Sequence, residues 1–390
     1  MTMIRRLSAL AATAAAALAV AGTATPAAGA TSSSSSSSSW ITAAMSLSGA
    51  EQAASGSGVT VAVIDTGTAD LPQFAGSLTE GPSYVSGGAD PGQEDHGTEM
   101  ADLVLQVAPE AHVLAIRAIP DTTVATTKNL TRCPIGSAID YATAHGAKVI
   151  SMSLGSDSGD LTGYSPCEAK AVEKALAAGI TVLAAAGNNG TTSVFTDGGS
   201  GSDGEDDESF PAGFTGVIAV AALTQSGSRA DFSTVHSYND VGAPGVDVPT
   251  IEESGEAVLD EGTSPATPLV AGIAALILSK VPGLAPSQVA EAIERTASHP
   301  GSWNAQTGYG EVNATAALAA AEKMTPVSPA QASVSYTGST YFGGANGSGS
   351  AAGTTDTGGY VHAGILFVLA LAALGGAFLL IRRRRRTAAA

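Results

Sequence analysis

The sequence predicts an α/β fold in which a mostly parallel sheet lies between layers of helices. Three observations carry this. Short apolar β-rich runs alternate with helix-like segments through the middle of the 390-residue chain. Several of those runs, "KVISMSLG" and "ITVLAAAG" among them, are apolar without alternation, as strands covered on both faces are. The middle block, residues 59–322, is long enough to bury one large core.

The elements follow in order. Strands are expected at about 59–64, 112–117, 148–153, 180–185 and 217–222. Helices are expected near 99–107, 135–145, 167–178, 264–280 and 286–296. Strand-helix alternation of this kind gives a sheet whose functional groups gather at the carboxyl ends of strands. Asp65 closes the first strand, and Asn188 follows the "VLAAAG" run directly. Both therefore sit where a site is expected.

The flanks have a different character. Arg5 and Arg6, the alanine-rich run from Leu7 to about Gly22 and the small residues Ala28 to Ala30 make residues 1–30 a signal peptide. Residues 31–58 begin with the serines Ser32 to Ser39 and read as a polar extension, too short for a folded inhibitory segment. The middle block is accordingly expected to fold from about Gly56 onward. Residues 323–360 are a Gly/Ser/Thr/Pro linker. The uncharged run within 361–381 is about 28 Å long as a helix, and five arginines, Arg382 to Arg386, follow it in the tail 382–390. The expectation is an exported protein held in the cell membrane by one span, its middle block outside and its basic tail in the cytoplasm.

The net charge of −18 includes those basic ends, so the exported part is more acidic still and nucleic acid is not an expected partner. Cys133 and Cys167 are the two cysteines. They have no neighbours spaced as metal ligands, and in an oxidising compartment they are expected to form a disulfide.

Three segments carry polar residues that packing does not demand: Asp65 in "VIDTG", His96 in "EDHGTEMADLV" and Ser264 in "EGTSPATPLVAGIAALIL". A serine hydroxyl is a poor nucleophile until a histidine takes its proton, and that histidine needs a buried carboxylate to fix its tautomer. Ser264 would stand at a helix amino end, where the dipole favours negative charge. Asn188 in "AAAGNNG" can donate an amide to an oxyanion. A second Asp-Thr-Gly at Asp356 suggests the paired carboxylates of an aspartic protease. It lies in glycine-rich sequence just before the apolar run, and an aspartic protease needs an all-β framework, so it is chance composition or at most a degenerate cell-wall sorting signal.

The order Asp, His, Ser and the motifs "VAVIDTG", "HGT", "MSLG", "AAAGNNG" and "GTSPATP" resemble the subtilisin-like serine peptidases over roughly residues 59–320. The resemblance implies a subtilisin-like three-layer fold and serine endopeptidase activity on proteins or peptides. It assigns the orienting aspartate to Asp65, the base to His96, the nucleophile to Ser264 and the oxyanion amide to Asn188. It further implies that Ser153, Leu154 and Gly155 form an exposed strand edge for the substrate backbone, and that Ala184, Ala185, Ala186 and Gly187 line the pocket for the side chain before the scissile bond. No cofactor is required. Asp203, Glu205 and Asp207 in the acidic stretch 196–210 leave calcium open, without a full ligand pattern. The chain departs from the family's usual residues at Glu99 to Asp102 and at Pro265 to Leu269. Asp95, beside His96, reads as a solvated turn residue. The whole layout resembles the mycosins, the anchored proteases of type VII secretion, which implies secretion-system components as partners. A subtilase-shaped structural subunit of such a complex is the alternative.

Overall fold

The computed structural model describes residues 40–85, 94–120, 133–155, 165–190, 206 and 208–329. The expected signal peptide, the C-terminal apolar run, the basic tail and most of the acidic stretch lie outside these residues. No helix among the described residues is long and apolar enough to cross a membrane.

Seven parallel strands make the main sheet, in the order β2-β3-β1-β4-β5-β6-β7. They are β1 (Thr60–Asp65), β2 (Leu78–Ser83), β3 (His112–Arg117), β4 (Val149–Met152), β5 (Thr181–Ala185), β6 (Val217–Leu223) and β7 (Asn239–Pro244). Val61 and Val63 face one core, Ala62 and Ile64 the other, so both faces of β1 are apolar. That is why the run shows no alternation. The helices are α1 (Leu47–Ala53), α2 (Asp95–Val107), α3 (Pro134–Ala144), α4 (Pro166–Ala177), α5 (Thr263–Lys280), α6 (Pro286–Glu294) and α7 (Ala314–Ala321). Helices α3 and α4 contribute to one core; α1, α2, α5, α6 and α7 contribute to the other. A two-stranded antiparallel hairpin, β8 (Val248–Ile251) with β9 (Ala257–Asp260), packs beside α2.

The five expected strands and five expected helices are all present. Helix α2 starts earlier than its apolar period suggests and takes in Asp95 and His96. Asp95 is not a solvated turn residue: it opens the helix, and its Oδ1 accepts from Glu253 N at 2.9 Å. Strands β2 and β7 and the hairpin are additional. Both added sheet strands are edges holding Gly and Pro, residues that weaken a strand signal. The edge of β7 is covered, since Gly242 N donates to Gly310 O and Val312 N to Gly242 O.

The extension 31–58 is not a polar linker throughout. From Trp40 to Ala53 it is largely helical, and Ile41, Met45, Leu47 and Ala50 enter the core. Ala314 N donates to Met45 O, tying the segment to the start of α7.

Cys133 and Cys167 form a disulfide joining the amino ends of α3 and α4. The two cysteines are 34 residues apart. Constraining a loop of that length in the unfolded chain contributes about 3–4 kcal/mol in the chain-entropy treatment. Reduction, or Cys133→Ala with Cys167→Ala, is expected to lower unfolding stability by that order in denaturant titrations.

Candidate active site

Strands β1, β4 and β5 are neighbours, and the chain reverses its direction of travel across the sheet beside β1. Their carboxyl ends deliver Asp65, Ser153 and Asn188 to one crevice, as the switch point of an open parallel sheet requires.

Asp65 is buried, 1 % exposed, and its Oδ1 accepts from Thr66 N at 2.7 Å and from His96 Nδ1 at 2.6 Å. A carboxylate only accepts, so Nδ1 carries the proton and Nε2 is left as the acceptor. Helix α2 brings the histidine this close because Gly67 and Gly97 touch. A methyl group on Gly97 would lie 1.8 Å from Gly67 O, and Gly67 holds φ at +108°. Thr66 and Thr68 complete the junction: Thr66 Oγ1 accepts from Gly97 N at 2.9 Å, and Thr68 Oγ1 donates to Gly97 O at 3.2 Å.

Ser264 lies in the first turn of α5, behind Thr263. Pro268 has no N–H for the carbonyl of Ser264, four residues earlier. Ser153 Oγ donates to that carbonyl instead, at 2.8 Å. Ser264 Oγ in turn donates to Ser153 O at 3.4 Å, a long bond that leaves the hydroxyl free to swing. No hydrogen bond joins it to His96 among the described residues; such bonds commonly tighten only when substrate binds.

Asn188 Oδ1 accepts from Thr263 N at 2.9 Å and from Thr263 Oγ1 at 3.0 Å. With its oxygen so occupied, the amide nitrogen is directed outward as a donor, 3.3 Å from where a Cβ on Gly262 would stand. Thr263 thus orients the amide, a role the sequence did not suggest.

Of the expected substrate-backbone residues, Ser153 and Leu154 are buried and Gly155 is exposed, so the segment is less open than a free strand edge. Ala184, Ala185, Ala186 and Gly187 are buried at and just beyond the end of β5. The calcium reading rests on Asp203, Glu205 and Asp207, which lie outside the described residues.

Two acids act on His96: Glu99, visible in sequence only as a departure, and Asp260, which the sequence did not single out. Burial, followed by the charge of Asp260, pushes the Glu99 carboxyl up to about 8. For His96 itself desolvation, the largest single influence, pushes down. The charge and hydrogen bond of Asp65 and the charges of Asp260 and Glu99 outweigh it and raise the imidazole to about 9. A base must be neutral to act, so kcat/KM of the free enzyme is expected to climb with pH through a limb near 9. Glu99→Gln removes charge that favours the imidazolium, so its limb should lie at lower pH in a rate profile. Stability runs the other way. The folded pKa lies above the unfolded value, so the pair's contribution is complete below about pH 6.5 and is lost as pH rises through about 9.

Comparison with known proteins agrees with this geometry. The Subtilase family model matches residues 56–310. Subtilisin DY of Bacillus licheniformis is 39% identical over 280 residues, covering 68% of this chain and 93% of its own. Subtilisin E of Bacillus subtilis is 36% identical over 277 residues, covering 68% and 67%. Among solved structures, the MycP3 protease of the type VII (ESX-3) secretion system is 27% identical with a TM-score of 0.60, covering 72% of this chain and 87% of that one. MycP1 with its N-terminal propeptide removed is 26% identical, also with a TM-score of 0.60, covering 72% and 96%. With the Asp65 to His96 pair at the mouth of a seven-stranded parallel sheet and this match across most of its length, the chain belongs to the Subtilase family, and it is a serine-type endopeptidase.

Proposed function

We propose that the chain is an exported, membrane-anchored endopeptidase in which Asp65, His96 and Ser264 act as the triad and Asn188 as the oxyanion donor. The observation that carries the triad is the 2.6 Å bond from His96 Nδ1 to the buried Asp65, which leaves Nε2 as a base. Ser264 Oγ gives its proton to His96 Nε2 as it attacks the scissile carbonyl, and the carbonyl oxygen becomes an oxyanion facing the Asn188 amide. Collapse breaks the C–N bond, and the departing amine takes the proton from His96. Water, deprotonated by the same nitrogen, then releases the acyl group from Ser264.

Export and anchoring rest on the sequence of residues 1–30 and 361–390, and they put the substrates outside the cytoplasmic membrane. The likeness to MycP1 and MycP3 favours a second reading, in which the domain also serves a type VII secretion complex as a structural subunit.

A fluorophosphonate probe separates the two. Labelling of the wild type and none of Ser264→Ala is the expected result, and equal labelling of both would refute the nucleophile. Secretion that persists in Ser264→Ala and fails when the whole chain is removed would establish the structural duty. Deleting residues 361–390 should release the protein from the membrane fraction.

A further inference from the structure

We propose that Glu253, at the tip of the β8–β9 hairpin, is a positioning residue for His96, supplying from a remote part of the chain a cap that the amino end of α2 cannot make for itself. The inference rests on the proposed function, in which His96 is the base.

A helix leaves its first four N–H groups without partners inside the helix. The local remedy is a capping box: the side chain just before the helix accepts from the third helical N–H, and a Glu or Gln at that third position reaches back to the cap residue's own N–H. Helix α2 has neither half. Its cap residue, Glu94, makes no side-chain capping bond. Its third residue is Gly97, which has no side chain to reach back, and the contact with Gly67 O admits no larger residue there.

Both halves come from elsewhere. Thr66 Oγ1 accepts from Gly97 N at 2.9 Å, and Glu253 Oε2 accepts from Glu94 N at 3.2 Å. Asp95 Oδ1 returns the contact, accepting from Glu253 N at 2.9 Å. His96 is thus held from both sides, at Gly97 by Thr66 and at Glu94 and Asp95 by Glu253. A carboxylate at this place also meets the positive end of the helix dipole.

The hairpin that carries Glu253 cannot slide along α2. Further down the helix, Thr250 Oγ1 lies 3.1 Å from Glu99 O and 3.2 Å from Asp102 Oδ2, and Gln106 Nε2 donates to Pro249 O at 3.0 Å. Strand β9 then runs on through Gly262, whose N–H is bonded to Gly245 O, into Ser264 at the head of α5. One strap therefore joins the helix of the base to the helix of the nucleophile, and Glu253 is where it grips the residues next to His96.

The test uses matched peptide amides cleaved by the full chain and by its Glu253→Ala, Glu253→Gln and Asp95→Ala variants, with kcat read on the alkaline plateau, where the imidazole is neutral in each. Glu253→Ala should lower kcat by about ten- to a hundredfold with KM little changed, the scale on which a misplacement of up to about 1 Å is felt. Glu253→Gln keeps an acceptor oxygen at the same reach and should retain most of kcat. Asp95→Ala opens the other side of the clamp; it should lose kcat in the same way, and it carries the test if Glu253→Ala does not fold. The His96 Nδ1 proton, followed by NMR, should shift in both alanine variants and stay in place in Glu253→Gln, a pattern that lost stability alone does not produce. An unchanged kcat in the alanine variants, a glutamine variant as slow as Glu253→Ala, or an unmoved Nδ1 resonance overturns the positioning role and leaves the triad standing. A wild type that cleaves none of the peptides and does not react with the fluorophosphonate overturns the triad, and this role with it.

Discussion

Asn188→Ala is expected to lower kcat by about 10²–10³ with KM nearly unchanged, the range established for subtilisin when its own oxyanion amide is removed. Thr263 N and Thr263 Oγ1 both bind Asn188 Oδ1, so the amide nitrogen is aimed before substrate arrives. A donor held this way gains its partner only when the carbonyl oxygen becomes an anion, and an interaction confined to the transition state moves kcat alone. Asn188→Asp should be as damaging, because it puts an acceptor where a donor is needed. Single-turnover acylation with an activated ester measures the step directly. Impaired binding with intact acylation would remove Asn188 from this role.

Deleting residues 40–53 is expected to cost on the order of 5 kcal/mol or more of stability. Ile41, Met45 and Leu47 are buried to within a few per cent, and each large apolar side chain contributes about 1.5–3 kcal/mol on burial. That loss rivals the net stability of an ordinary domain, about 5–15 kcal/mol. In a domain of this size it corresponds to a fall in Tm of about 10–20 °C, readable by circular dichroism. A peptide spanning 40–55 added back should recover part of it. A shortened protein with an unchanged Tm would show that the segment only decorates the surface.

These two expectations differ in how visible they were in the sequence. Asp65, His96, Asn188 and Ser264 stand in short motifs whose glycines the structure explains by contact, as at Gly97 against Gly67 O. Long apolar runs such as "TVAVID" and "VIAVAAL" showed the interior strands because both faces are covered. What stayed hidden depends on partners remote in sequence. Residues 40–53 follow a serine tract that sets the local composition, and only the start of α7 and the α5 layer make them core. Thr263 needs Asn188 beside it to acquire a role. Ser153 needs the vacancy that Pro268 leaves on the Ser264 carbonyl. The hairpin β8–β9 has Pro249 in one short strand and three acids, Glu252, Glu253 and Glu256, at its tip, a pattern that reads as loop until Thr250 and Glu253 are seen bonded to α2.

The Ser153 to Ser264 lock also bears on timing. Its two partners are 111 residues apart, whereas Asp65 and His96 are 31 apart and near the start of the domain. A chain made from its amino end thus has Asp65 and His96 synthesised on the order of ten seconds before Ser264. Even then, Ser264 has no fixed position until α5 docks against the loop beyond β4. The crevice that gathers Asp65, His96 and Ser264 is therefore complete only once α5 is seated against the sheet.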